Sequence, residues 1–159
     1  MDLLSRLEAM YDVSREENYR LDTELERIPP TRPTIRLRPR RDASAPITVA
    51  FDGQPGIYVR FGRFRMEPFP DCACDACDEC AEGEFQSFKE TVEAVVAGQF
   101  REWFRLRPDG SGQVGREFWS DDLQRRGSSR VGPDRVSHYS DGGDRLWEWE
   151  PWPRKPATP

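Results

Sequence analysis

Two stretches of strict apolar alternation flank a turn near the middle of the chain. In PITVAF, Ile47, Val49 and Phe51 occupy every second position; DGQPG then supplies turn residues, and in IYVRFGRFRM the residues Ile57, Val59 and Phe61 resume the same period. Side chains alternate across a strand, so this pattern buries one face and leaves the other to polar groups. The spacing predicts a β-hairpin, and with it an antiparallel sheet.

The flanking segments read differently. Leu3, Leu4, Leu7, Met10 and Tyr11 recur at helical spacing. Ser14 with Glu17 three residues on is a capping-box pattern that predicts a second helix through NYRLDTELERI, ended by Pro29 and Pro30. Residues 29–46, rich in Pro and Arg, alternate Ile35 and Leu37 against Arg36 and Arg38, and read as a linker or an edge segment. In GEFQSFKETVEAVVAGQF, Phe85, Phe88, Val92 and Val95 form one helical stripe with Val96 at its margin, and Gly98 suits the C-cap. FREWFRL, PDGSG and QVGREFW predict a second hairpin, SDDLQRRGSSRVGPDR reads as loop, and RLWEWE alternates as a last strand.

The expected fold is therefore α+β: a small, mostly antiparallel sheet packed with N-terminal helices and one central amphipathic helix. The chain's 159 residues suit one domain, read as residues 1–152, with 153–159 as a flexible tail. Leu, Ile, Val and Phe total 31, a thin supply, but a net charge of -5 and five Trp argue against global disorder. No apolar run approaches the roughly 20 residues of a membrane span, and the start MDLLSRLEAMYD lacks a leader pattern, so the expectation is a cytoplasmic protein without a membrane partner.

Chemistry concentrates in PFPDCACDACDECAEGEF, which holds every cysteine: Cys72, Cys74, Cys77 and Cys80, among six carboxylates. In a reducing compartment such thiols point to metal or redox chemistry. The acidic neighbours raise the cost of a thiolate, which disfavours a catalytic thiol and favours a bound cation. Zinc takes four ligands in a tetrahedron, with sulfurs about 2.3 Å from the metal. One compact loop, 71–80, would have to supply them all, or His138, the only histidine, or a carboxylate would replace Cys80. Such a site would be structural, pinning the turn into the central helix. Four alternatives stay open: an iron-sulfur run, although the closing Cys-Pro is absent; a disulfide or reversible redox pair such as Cys74 with Cys77; a calcium loop, weakened by Ala73 and Ala76 at positions needing a ligand and a glycine; and thiols with no ligand.

Phe69, Pro70, Cys72, Cys74, Asp75, Cys77, Asp78 and Glu79 form a motif, F-P-x-C-x-C-D-x-C-D-E, followed by a predicted helix. In this the sequence resembles an uncharacterised family of actinobacterial proteins, a domain of unknown function, and the resemblance implies no catalytic residue. GxSxG, Walker-type and HExxH patterns are missing, and DGSG at 109–112 reads as a hairpin turn, so the sequence leans away from an enzyme.

Arg32, Arg36, Arg38, Arg40 and Arg41 make a basic stretch that could meet phosphates. The acidic total and the lack of interleaved aromatics there argue against nucleic acid and for a solvated linker or pairing with the acidic loop. Twenty-two of the 24 basic residues are Arg, so the choice of Arg over Lys carries no functional weight. LWEWEPWPRKP could dock on a protein partner or be an ordinary strand and frayed end. The leading expectation is a binding or interaction domain with a zinc-type site, and the runner-up is a redox or metal-dependent enzyme using the same loop.

Overall fold

The alternation is realised in two antiparallel sheets rather than one. The structure is a computed structural model that describes residues 3–19, 33–51, 56–64, 66–70, 81–121 and 124–156. The first sheet runs in chain order: β1 (Val13–Glu17), β2 (Thr34–Pro39), β3 (Ile47–Phe51), β4 (Ile57–Phe61) and β5 (Met66–Phe69). In the second, β6 (Phe100–Leu106), β7 (Gly112–Trp119), β8 (Gln124–Val131) and β9 (Arg145–Glu148) lie in the order β8-β7-β6-β9. Helix α1 (Leu3–Met10) precedes the first sheet, α2 (Ala81–Val96) stands between the sheets in sequence, and a 3-10 turn (Pro133–His138) follows β8. Mostly antiparallel strands with a few helices is what the sequence period demanded.

The predicted hairpin has Ile47 opposite Phe61, Val49 opposite Val59 and Phe51 opposite Ile57. This register puts Leu37, Ile47, Val49, Val59, Phe61 and Phe69 in one buried cluster. Phe88, Val92 and Val95 of α2 join it, with Phe100 and Phe118 of the second sheet. Phe100 and Phe118 stack at 4.6 Å between centroids, and Phe118 meets Phe61 edge-on at 5.5 Å. Burying side chains of this size contributes about 2 kcal/mol each. The rings from facing strands therefore weld the two sheets together.

Several elements differ from expectation, each for a physical reason. Where a capping box suggested a helix from Ser14, the chain forms β1, paired residue for residue with β2 from Val13↔Pro39 to Glu17↔Ile35. Pairing along the whole of β2 gives residues 13–17 backbone partners that a helix start at Ser14 would forgo, and Val13, just before it, packs on the core. The remainder of that expected helix, 20–28, lies outside the described residues. Within the segment read as a linker or edge, β2 is an interior strand between β1 and β3. Its alternation holds: Leu37 is fully buried, while Arg36 and Arg38 face the other way.

The stretch read as loop forms β8, pairing with the whole of β7. Helix α2 keeps its stripe, except that Phe85 is 57% exposed. Gly98 ends it with φ 73° and a bond from its N–H to the Val95 carbonyl at 3.1 Å. After β9 the chain stays packed. The Trp152 indole donates to the Ala45 carbonyl at 2.8 Å, and Lys155 N–H to the Met10 carbonyl at 3.1 Å.

Candidate functional site

Because β2, β3 and β4 are neighbours in register, one residue from each forms a row on the sheet face opposite the core: Arg36, Thr48 and Arg60, flanked by Glu16 on β1 and Met66 on β5. Tyr19 lies over this row. Asn18 adopts φ 54°, a turn that Asn tolerates, and the Thr34 hydroxyl donates to the Tyr19 carbonyl at 2.7 Å. The Tyr19 ring centroid is 4.3 Å from the Arg36 guanidinium and 5.9 Å from that of Arg60. Arg60 is only 6% exposed and Thr48 1%.

The row opens into a cleft of about 460 Å³. Five arginines line it: Arg36 and Arg38 from β2, Arg41 from the turn after it, Arg60 from β4, and Arg63 from the turn after that. Among the described residues its lining holds one carboxylate, Asp42, which is paired with Arg38 at 3.1 Å. Arg41 meets Glu150 at 3.0 Å from outside the lining, and Arg36 meets Glu16 at 3.8 Å. Arg63 forms no salt bridge among the described residues and sits 5.4 Å from the Trp147 ring. Phe64 and Trp149 supply the apolar wall. The volume falls in the range of small-molecule sites.

Behind this wall lies Glu102, on the inward face of β6 between Phe100 and Phe104, and 2% exposed. Its Oε1 accepts from the Arg63 N–H at 2.8 Å and from the Trp149 indole at 3.2 Å. It thus ties together two residues that line the cleft. Burial pushes the Glu102 carboxyl up to about 7, against the opposing pull of the Arg63 and Phe64 N–H groups, the indole and the Arg63 charge. Its cross-strand neighbour on β7, Arg116, reaches across to an ion pair with the buried Glu67 of β5. Gly62 is required here: φ is 72°, and a Cβ would collide with the Glu102 carboxylate.

The sequence-based site residues fall in two places. Cys72, Cys74, Cys77 and Cys80 lie outside the described residues. His138, at the end of the 3-10 turn, lines the arginine cleft at the Gly62 end of β4. The cysteine segment follows Pro70, and Phe69 pairs with Ile57 at the opposite end of that strand. Among the described residues no group of three or more His, Cys, Asp or Glu could hold a metal. No described helix is long and apolar enough to cross a membrane.

Of the basic stretch noticed in the sequence, Arg36, Arg38 and Arg41 reach the cleft, whereas Arg40 points to Asp12 at 3.8 Å. Arg60, Arg63 and Glu102 escaped notice. The available signal was parity: Glu102 shares the inward face with Phe100 and Phe104, and Arg60 shares the face of Tyr58 in its strand.

No curated protein and no solved structure matches this chain. The chain belongs to the Family of unknown function (DUF6226), which it matches over residues 2–156.

Proposed function

We propose that the chain is a small binding domain whose ligand is anionic and seats in the arginine-lined cleft. The observation that carries this reading is that five arginines line one concavity whose described lining contains a single carboxylate. Guanidinium forks bind oxyanions through paired hydrogen bonds, and Arg63 forms no salt bridge among the described residues. The apolar wall and the volume suit a compact ligand.

Trp149 lines the cleft, so tryptophan fluorescence titrated with pyrophosphate and with citrate reads binding directly. Saturable binding is expected, weakened at least tenfold in Arg38→Gln and Arg63→Gln. Both arginines are exposed, so these variants keep the fold. Absence of saturable binding by any anion refutes the proposal.

The cysteine segment adds a structural zinc to the same reading, held by Cys72, Cys74, Cys77 and Cys80, with His138 or a carboxylate as the alternative fourth ligand. Its spacing supports this, as does its place in the sequence between β5 and α2, whose Phe69 and Phe88 rings lie 5.1 Å apart. Elemental analysis of protein purified without added metal, with a thiol count, is expected to find one zinc per chain and four cysteines protected from modification. Metal-free protein with a reversible thiol-disulfide couple would instead favour the redox alternative.

A further inference from the structure

We infer a second binding site: a cleft lined by α1, α2 and the stretch after β9 takes a medium-length aliphatic chain that ends in a carboxylate. This cleft, of about 390 Å³, shares no lining residue with the arginine cleft. Leu3, Leu7 and Met10 line it from one stripe of α1, and Val92 and Val96 from one stripe of α2. Leu7, Val92, Val96 and Trp152 are buried and make its floor. The Trp152 indole donates its N–H to the Ala45 carbonyl, and its ring meets Tyr11 edge-on at 5.8 Å. It therefore offers a ligand carbon and no donor.

Met10 departs from its stripe. It follows Leu3 and Leu7 at helical spacing, yet it is 45% exposed. Apolar surface at the edge of a concavity gains when a ligand chain displaces its water, and methionine adapts to varied apolar shapes.

The charges around this floor select the head of the ligand. Arg6 and Arg154 line the cleft and are exposed, and among the described residues neither forms a salt bridge. Arg154 lies 5.8 Å from the Tyr11 ring centroid. Glu93, the one carboxylate in the described lining, is paired with Lys89 at 3.7 Å. A carboxylate can thus meet the two guanidiniums at the solvent edge while its chain lies on the floor, and no internal ion pair has to break first.

Size separates a small molecule from a protein partner. Leu3 to Met10 and Lys89 to Val96 are each two helical turns, so either wall runs about 10 Å. The volume equals roughly thirteen groups the size of water, close to the heavy atoms of a fatty acid of about ten carbons. A stable protein interface takes about 800 Å² from each partner, more than walls this short supply.

Calorimetric titration of the full chain at neutral pH with octanoate, butyrate and octan-1-ol separates these elements. Octanoate is expected to bind at least tenfold more tightly than either, since butyrate loses buried methylenes and the alcohol loses the charge. Arg6→Gln and Arg154→Gln should each weaken octanoate several-fold and leave octan-1-ol unchanged, and added pyrophosphate should not compete. Octan-1-ol binding as tightly as octanoate overturns the carboxylate, and butyrate binding as tightly overturns the chain. Competition by pyrophosphate, or octanoate binding that neither arginine variant weakens, places the ligand elsewhere and the proposal falls. It also falls if octanoate does not bind saturably; a dimer in sedimentation that Met10→Gln dissociates would then assign the cleft to a second copy of the chain.

Discussion

Replacing Glu102 by Gln removes one buried charge and keeps an oxygen able to accept from Arg63 and Trp149. The wild-type carboxyl is raised from an ordinary 4.5 to about 7, with burial the largest cause. At roughly 1.4 kcal/mol per tenfold change in proton affinity, that amounts to about 3 kcal/mol. The sign follows from which state holds the proton. Between pH 4.5 and about 7 the folded chain keeps it and the unfolded chain has released it, so stability falls as pH rises. This contribution is present in full below the lower value and lost once the pH has passed through the upper one.

The assay is urea unfolding of wild type and Glu102→Gln at several pH values from 4 to 8. Every other titrating group contributes equally to both proteins, so the difference between the two curves isolates Glu102. Wild type should lose about 3 kcal/mol relative to the variant across this range. Any constant offset from a poorer amide hydrogen bond leaves that slope untouched. Parallel curves would show that Glu102 titrates normally. A wild type that gains on the variant with rising pH would show that the N–H donors and Arg63 outweigh burial.

Two further substitutions test the packing. Glu67→Ala leaves Arg116 facing the sheet interface without its carboxylate and should destabilise by about 3 kcal/mol, read as a lower urea midpoint with unchanged m-value. Gly98→Ala forces a Cβ onto a left-handed residue and into the backbone nitrogen of Pro151, so a loss of about 1–2 kcal/mol or more is expected in thermal melts, while Gly110→Ala, also left-handed but with open space around it, should cost less.

What the sequence revealed was periodicity. Ile47, Val49, Phe51 and their partners declare a hairpin because one face is apolar throughout. The strand β8 was invisible for the opposite reason: in QRRGSSRV only Val131 is apolar, and its pairing is dictated by β7, which needs a neighbour. At β1, Ser14 and Glu17 offered a plausible helix start, and a long-range pairing with β2 overrode it. The arginine cleft required knowing which strands adjoin, since Arg36 and Arg60 are separated by 23 intervening residues yet flank the same threonine. The four cysteines were conspicuous in sequence and lie outside the described residues, so their reading rests on spacing and on their place in the chain between β5 and α2.

The packing of residues 149–155 bears on when this chain can fold during synthesis. Trp149 and Trp152 fill the core beneath the first sheet, and Glu150 N–H, Asp12 N–H and Lys155 N–H bind backbone carbonyls across that junction. Strand β9, just before them, completes the edge of the second sheet beside β6. A ribosome that has delivered everything up to Asp144 therefore holds two sheets whose shared interior still lacks its last two tryptophans. Folding must wait for residues 149–155 to emerge, and nascent chains stalled before Trp152 should stay open to protease although nearly every described strand has been made.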